Sequence, residues 1–261
     1  KIIMSITTLH RPLFILRSLL FLGALGLWNI PTTYAQNLTF DWAVVAEGTN
    51  DSEFGKKVIV DDSGYVYVSG RLRATVDFTP NASGGTLSSA GSSDVFIKKI
   101  SPQGQVLWAK RIGGSDIENT FDMVVSDSGY IYLTGHYRGS TDFDPDPNNT
   151  VIITNNVAGI YILKLTNDGD LVWVKSHRNV FDNAISLSVR VDQRGHVFTT
   201  GYFGGIMDFD PGPGNFTRTD MGSRDAYISE LNADGNFVWA TSFGTSGFRD
   251  MGRSLALDNA D

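Results

Sequence analysis

Apolar and polar residues alternate in short runs along most of this chain, and the runs repeat. Four stretches rich in β-branched and aromatic residues, separated by turns that hold Gly, Asn or Asp, make one unit. Trp42, Trp108, Trp173 and Trp239 mark its period, lying 66, 65 and 66 residues apart. Self-similarity of this length means that one supersecondary unit recurs and buries its apolar face against its neighbours.

Aligned on the tryptophans, the runs take the order A to D. Run A is Lys57 to Val60, Met123 to Val125, Leu187 to Val191 and finally Ser254 to Leu257. Run B reads YVYVSG, YIYLTG and HVFTTG, and run C reads VFIKKI, IYILKL and AYISEL. Run D carries the tryptophan in QVLWAK, DLVWVK and NFVWAT. The turns between A and B end in Gly64, Gly129 and Gly195, and those between C and D read SPQG, TNDG and NADG. Such turns supply the positive φ that tight hairpins need, so A with B and C with D are expected as antiparallel neighbours. From each A–B turn glycine to the following tryptophan the distance is 44 residues, so length changes fall only between D and the next A.

Four antiparallel strands per repeat, with no sustained spacing of three and four apolar residues, predict an all-β protein, a β-propeller of four-stranded antiparallel blades. A β-solenoid and a β-sandwich are the rival architectures, but solenoid coils are shorter and lack two hairpins each. The expected layout is strand D of a split blade over 38–50, blades over 51–114, 115–180 and 181–245, and the start of a further blade over 246–261. That is an incomplete arc of about three blades plus terminal strands, expected as a fragment of a longer protein.

Residues 1–35 differ in kind from the rest. Lys1, Arg11 and Arg17 precede or enter an apolar run from Ser18 to Trp28, and Thr33-Tyr34-Ala35 offers small residues to a signal peptidase. This predicts a secretory signal peptide cleaved before Gln36, its rival being an uncleaved N-terminal anchor. Losing those three cations moves the formal charge from −7 to −10 for 36–261, an acidic balance that disfavours nucleic acid. No later segment has the length of apolar residues that a membrane helix needs. The chain has no cysteine, so its stability must come from packed sheet, not disulfides.

The motifs DSGYVYVSG, DFTP, DVFIKKI, PQGQVLWAK and RIGG of the first unit resemble the bacterial seven-bladed β-propeller repeat, SBBP. The second unit has DSGYIYLTG, DFDPDP, GIYILKL and NDGDLVWVK, and the third QRGHVFTTG, DFDPGPG, DAYISEL and ADGNFVWAT. The resemblance covers 40–261 and implies modules of large exported or surface proteins. The chain departs from it at His177, where HRNV replaces a Gly-Gly, and in the first unit, where DFTP lacks the second aspartate. The Gly-x-x-x-Trp ending of run D is also similar to pyrroloquinoline quinone enzymes, whose blades lock by tryptophan docking, although no asymmetric set of cofactor ligands accompanies it.

The candidate chemistry lies in the B–C connections, 71–94, 136–159 and 202–225, each 24 residues long. They hold Asp142, Asp144 and Asp146 in DFDPDPNN and Asp208 and Asp210 in DFDPGPG. Hard oxygen donors at alternating positions suit Ca²⁺. The competing reading is that these aspartates form turns on their own backbone, with Phe78, Phe143 and Phe209 as anchors. The tryptophans read as packing between blades, with each indole N–H finding a backbone acceptor. His136, His177 and His196 occupy three different repeat positions, His136 reading as a solvated loop residue, and no nucleophile elbow, paired-histidine helix or phosphate loop occurs. The sequence therefore predicts an exported, non-enzymatic module for binding or cell-surface architecture, with a protein or glycan partner. The alternative is the propeller part of a secreted hydrolase or quinoprotein-like oxidoreductase whose active site lies outside this chain.

Overall fold

The computed structural model describes residues 4–5, 41–44, 46–48, 53–79, 85–181 and 183–258. The proposed signal peptide, apart from Met4–Ser5, lies outside them. Before the first blade come β1 (Met4–Ser5), β2 (Ala43–Val44) and β3 (Glu47–Gly48). The first blade contains β4 (Glu53–Val60), β5 (Val66–Leu72), β6 (Thr75–Asp77), β7 (Thr86–Ser88), β8 (Asp94–Ile100) and β9 (Val106–Gly114). The second is built from β10 (Glu118–Val125), β11 (Ile131–Asp142), β12 (Ile152–Leu165) and β13 (Leu171–Asn179). The third holds β14 (Ala184–Val191), β15 (Val197–Phe203), β16 (Ile206–Asp208), β17 (Thr217–Thr219), β18 (Asp225–Leu231) and β19 (Phe237–Phe243).

Within each blade the four main strands pair antiparallel in chain order, β4-β5-β8-β9, β10-β11-β12-β13 and β14-β15-β18-β19. The architecture is all-β, an incomplete propeller of four-stranded blades. The hairpin glycines do what the turn pattern requires: Gly64, Gly129 and Gly195 have φ of 82°, 84° and 81°, and Gly104, Gly169 and Gly235 have 82°, 79° and 77°.

The second and third strands of each blade are largely buried on both faces, because a neighbouring blade or, beside the first and third blades, a terminal segment lies against each. Along β8, Val95 and Ile97 join the core between the first two blades, while Phe96 and Ile100 pack toward Trp42, Val44 and Ala46. Along β12, Tyr161, Leu163 and Leu165 face the first blade and Ile160 and Ile162 the third. A period-two pattern thus serves two cores at once.

Three details differ from the sequence-based reading. First strands are longer than runs A, starting at Glu53, Glu118 and Ala184, because their early residues pair with the far ends of the second strands. Residues 254–257 form no strand, yet Leu255 N–H donates to Ser188 Oγ at 3.3 Å, the place a fourth first strand would occupy. The B–C connections are hairpins rather than loops: β6 with β7, Gly139–Asp142 with 152–155, and β16 with β17. Each hairpin pairs with the end of the last strand of the preceding blade, Asp77 opposite Glu47, Asp142 opposite Gly113 and Asp208 opposite Arg178. Their constant length reflects this clasp.

Candidate functional site

Each seam between blades is closed by three devices, and the sequence-predicted site residues belong to one of them. In the clasp hairpins, Asp142 Oδ1 accepts the N–H groups of Asp144 (3.1 Å) and Val151 (2.9 Å), and Asp208 Oδ1 accepts those of Asp210 (3.1 Å) and Phe216 (2.9 Å). Asp144 accepts from Asp146 N–H at 3.0 Å, Asp146 from Asn148 N–H at 2.9 Å, and Asp210 from Gly212 N–H at 2.8 Å. Asp77 Oδ1 accepts Thr79 N–H in the first hairpin. These are Asx turns, each carboxylate holding its own backbone two residues on. Phe78, Phe143 and Phe209 between them are fully buried, as anchors should be. Among the described residues no three His, Cys, Asp or Glu side chains gather as a metal-holding group.

The second device is tryptophan docking. Trp42 Nε1–H donates to the carbonyl of Pro102 at 2.9 Å, and Trp173 Nε1–H to that of Ala233 at 3.1 Å. Both acceptors lie in the third-to-fourth-strand turn of the next blade. Trp108 lies against the equivalent turn at Gly169, but its buried N–H has no partner. Lys99 there takes the turn residue Asn167, by its side-chain oxygen. A register shift in each last strand, opposite Lys99/Ile100, Lys164/Leu165 and Glu230/Leu231, aims the indole at the turn.

The third device joins the first strands. Register shifts between Gly55 and Lys57, Thr120 and Asp122, and Ser186 and Ser188 bring one aligned residue per blade toward its neighbour. Asp122 accepts Lys57 Nζ at 2.7 Å from the first blade, and Arg190 (2.8 Å), Ser188 Oγ (3.1 Å) and Val189 N–H (3.2 Å) from the third. Burial works to raise its carboxyl, but these donors outweigh burial and hold it below the usual range.

Two further titratable groups sit inside the seams. Glu118 is fully buried, accepting Thr141 Oγ1 at 2.7 Å and Gly114 N–H at 3.0 Å. Burial, helped by Asp94 and Asp116, pushes it up to about 7 despite those bonds. His177 is buried edge-on to Phe209 and Tyr227 with neither ring nitrogen bonded, and burial lowers it to about 4. His136 is half-buried on β11, 3.4 Å from Asn119 Nδ2 and stacked on Phe121, instead of solvated in a loop. His196 Nδ1 lies 2.6 Å from Glu230. The histidines do not converge, matching their different repeat positions.

Where the blades differ, a cleft opens. At the outer edge of β13 in the second blade lies a space of about 450 Å³ bordered by Thr154, Asn155, Lys175, Ser176, Arg178 and Asn179, with Pro211 of the third blade's hairpin beside it. Sequence reasoning marked the HRNV departure but not this cleft, because its members lie on separate strands of the second blade that only pairing brings together, with the clasp of the third blade closing on Arg178 and Asn179.

No protein-family model matches the chain. It is 24% identical over 270 residues to an uncharacterized WD repeat-containing protein of Acanthamoeba polyphaga mimivirus, across 90% of this chain and 19% of that protein. The chain therefore spans about a fifth of that relative's length. This likeness and the antiparallel blades agree on a repeat propeller.

Proposed function

We propose that this chain is a non-enzymatic propeller module, exported and placed at the cell surface, that binds a partner along the outer strand of its second blade. The carrying observation is how the side chains are used. Residues repeated from blade to blade close clasps, dock indoles or link first strands, whereas Arg178 and Asn179 break the repeat and border a cleft. Sites on a shared scaffold lie where the scaffold's repeats diverge. The resemblance to SBBP repeats and the basic-then-apolar start of the chain support export. Expression in an export-competent bacterium followed by N-terminal sequencing tests it: a mature protein beginning at Gln36 outside the cytoplasm is expected, and retention of residues 1–35 in the cytoplasmic fraction overturns the exported reading.

A further inference from the structure

Aligned substitutions change the charge along the last strand of one blade. On β9 of the first blade the cations are neutralised: Lys110 Nζ lies 2.7 Å from Asp170 of the second blade, and Arg111 pairs with the buried Asp94 of its own blade. Around β13 of the second blade, Gly159 stands where the first blade has Asp94, Ser176 where it has Arg111 and Arg178 where it has Gly113, and Asn236 of the third blade stands at the place of Asp170. Both carboxylates are gone, Lys175 keeps the place of Lys110, and Arg178 is a new cation. Among the described residues neither has a carboxylate within ion-pair distance. Asp208, paired by backbone with Arg178, turns an oxygen onto its own hairpin. In a chain of formal charge −7, such a cleft concentrates positive potential and attracts anions.

The backbone of the same cleft is also open. On its outer side β13 pairs with β16 only at Arg178 and Asn179, and among the described residues no strand covers that edge before them. The covering hairpin turns away through Asp210 and Pro211, and Pro211 has no N–H to offer the edge. Asn179 is buried with its side-chain Nδ2 unpartnered and borders the cleft. The aromatic residue there, Tyr137, is 1% exposed and bonds Ser176 at 2.7 Å, so no ring face is offered to a sugar.

We propose that this cleft captures an acidic peptide, added as a strand to the open edge of β13 with its carboxylates against Lys175 and Arg178. The proposal rests on the binding-module reading and names its partner class. Main-chain pairing supplies affinity in such additions, and side chains supply selectivity. Lys175 and Arg178 are three residues apart, hence about 10 Å along the strand and on opposite faces. The ligand should therefore carry Asp or Glu at positions three apart.

The test uses the whole chain and a fluorescein-labelled peptide, Thr-Glu-Val-Thr-Glu-Val-Thr, read by anisotropy and then by mass spectrometry. Saturable binding that weakens with salt is expected, with loss of binding when lysine replaces glutamate or when alternate peptide nitrogens are methylated. Arg178→Gly, which installs the first blade's residue, and Lys175→Gln should each weaken it by about tenfold, while Lys110→Gln on the neutralised β9 should not. Equal binding of the methylated peptide, or of oligogalacturonate, would overturn strand addition. An intact, unbound peptide with the chain folded by circular dichroism overturns the acidic-peptide assignment alone. A cleaved peptide overturns the non-enzymatic reading beneath it.

Discussion

Glu118 and His177 are two buried titratable groups whose pH effects oppose each other. The Glu118 carboxyl is raised to about 7, so between its unfolded value of 4.5 and 7 the unfolded chain has released a proton that the folded chain keeps. Stability from this group is lost as pH rises through that window. The His177 imidazole is lowered from 6.5 to about 4, so in that range the unfolded chain is protonated and the folded one is not. Its contribution is lost as pH falls from 6.5 toward 4. Each amounts to roughly 3 kcal/mol at full extent, and over pH 4.5 to 6.5 they largely cancel. Chemical denaturation at a series of pH values should find the parent chain nearly flat there. Glu118→Gln should steepen the loss toward acid, and His177→Phe should expose a loss toward neutral pH. Two variants with the same slope as the parent would refute this account.

At the scale of elements, the docking turns and the clasps carry separate predictions. Trp173 gives its N–H to Ala233, whereas the Trp108 N–H has no acceptor. Trp173→Phe should lose a hydrogen bond worth about 1 kcal/mol beyond the cost of the smaller ring, and Trp108→Phe should not. Matched melting curves, with the first variant no less stable than the second, would remove the docking bond as a cause. In the clasps, the aspartates were legible as repeated acidic positions, but which bonds they make depends on backbone curvature. Asp142 Oδ1 and Asp208 Oδ1 each hold two N–H groups. Asp142→Ala and Asp208→Ala should therefore each cost about 1–2 kcal/mol in buffer with chelator. Calcium binding by Asp142, Asp144, Asp146, Asp208 and Asp210 has its own signature, a melting temperature that rises with millimolar Ca²⁺ and falls back with chelator.

For the molecule as a whole, Asp122 joins three blades through Lys57 and Arg190. Asp122→Ala leaves those cations without their shared acceptor, and a loss of about 2–3 kcal/mol is expected, since both are partly solvated. The loss should come with a broader unfolding transition as the blades uncouple, whereas Lys110→Ala on the outer seam should keep the transition sharp. The depressed Asp122 carboxyl adds stability that is present above its unfolded value and lost as pH falls through the folded one. The strand order, the hairpin glycines and the four-stranded repeat could all be read from the chain, because alternation, positive-φ turns and periodicity are local in sequence. So could the tryptophans' packing role, since their recurrence at one aligned position pointed to the seams. The clasps, the bulges that re-aim Asp122 and the indoles, and the burial of Glu118 and His177 were not legible, since each depends on contacts between segments far apart in the chain. The cleft at Lys175 and Arg178 has the same origin: the missing carboxylates are at Gly159 and Asn236, and only strand pairing within the second blade and the packing of the third against it bring those absences to the two sides of β13.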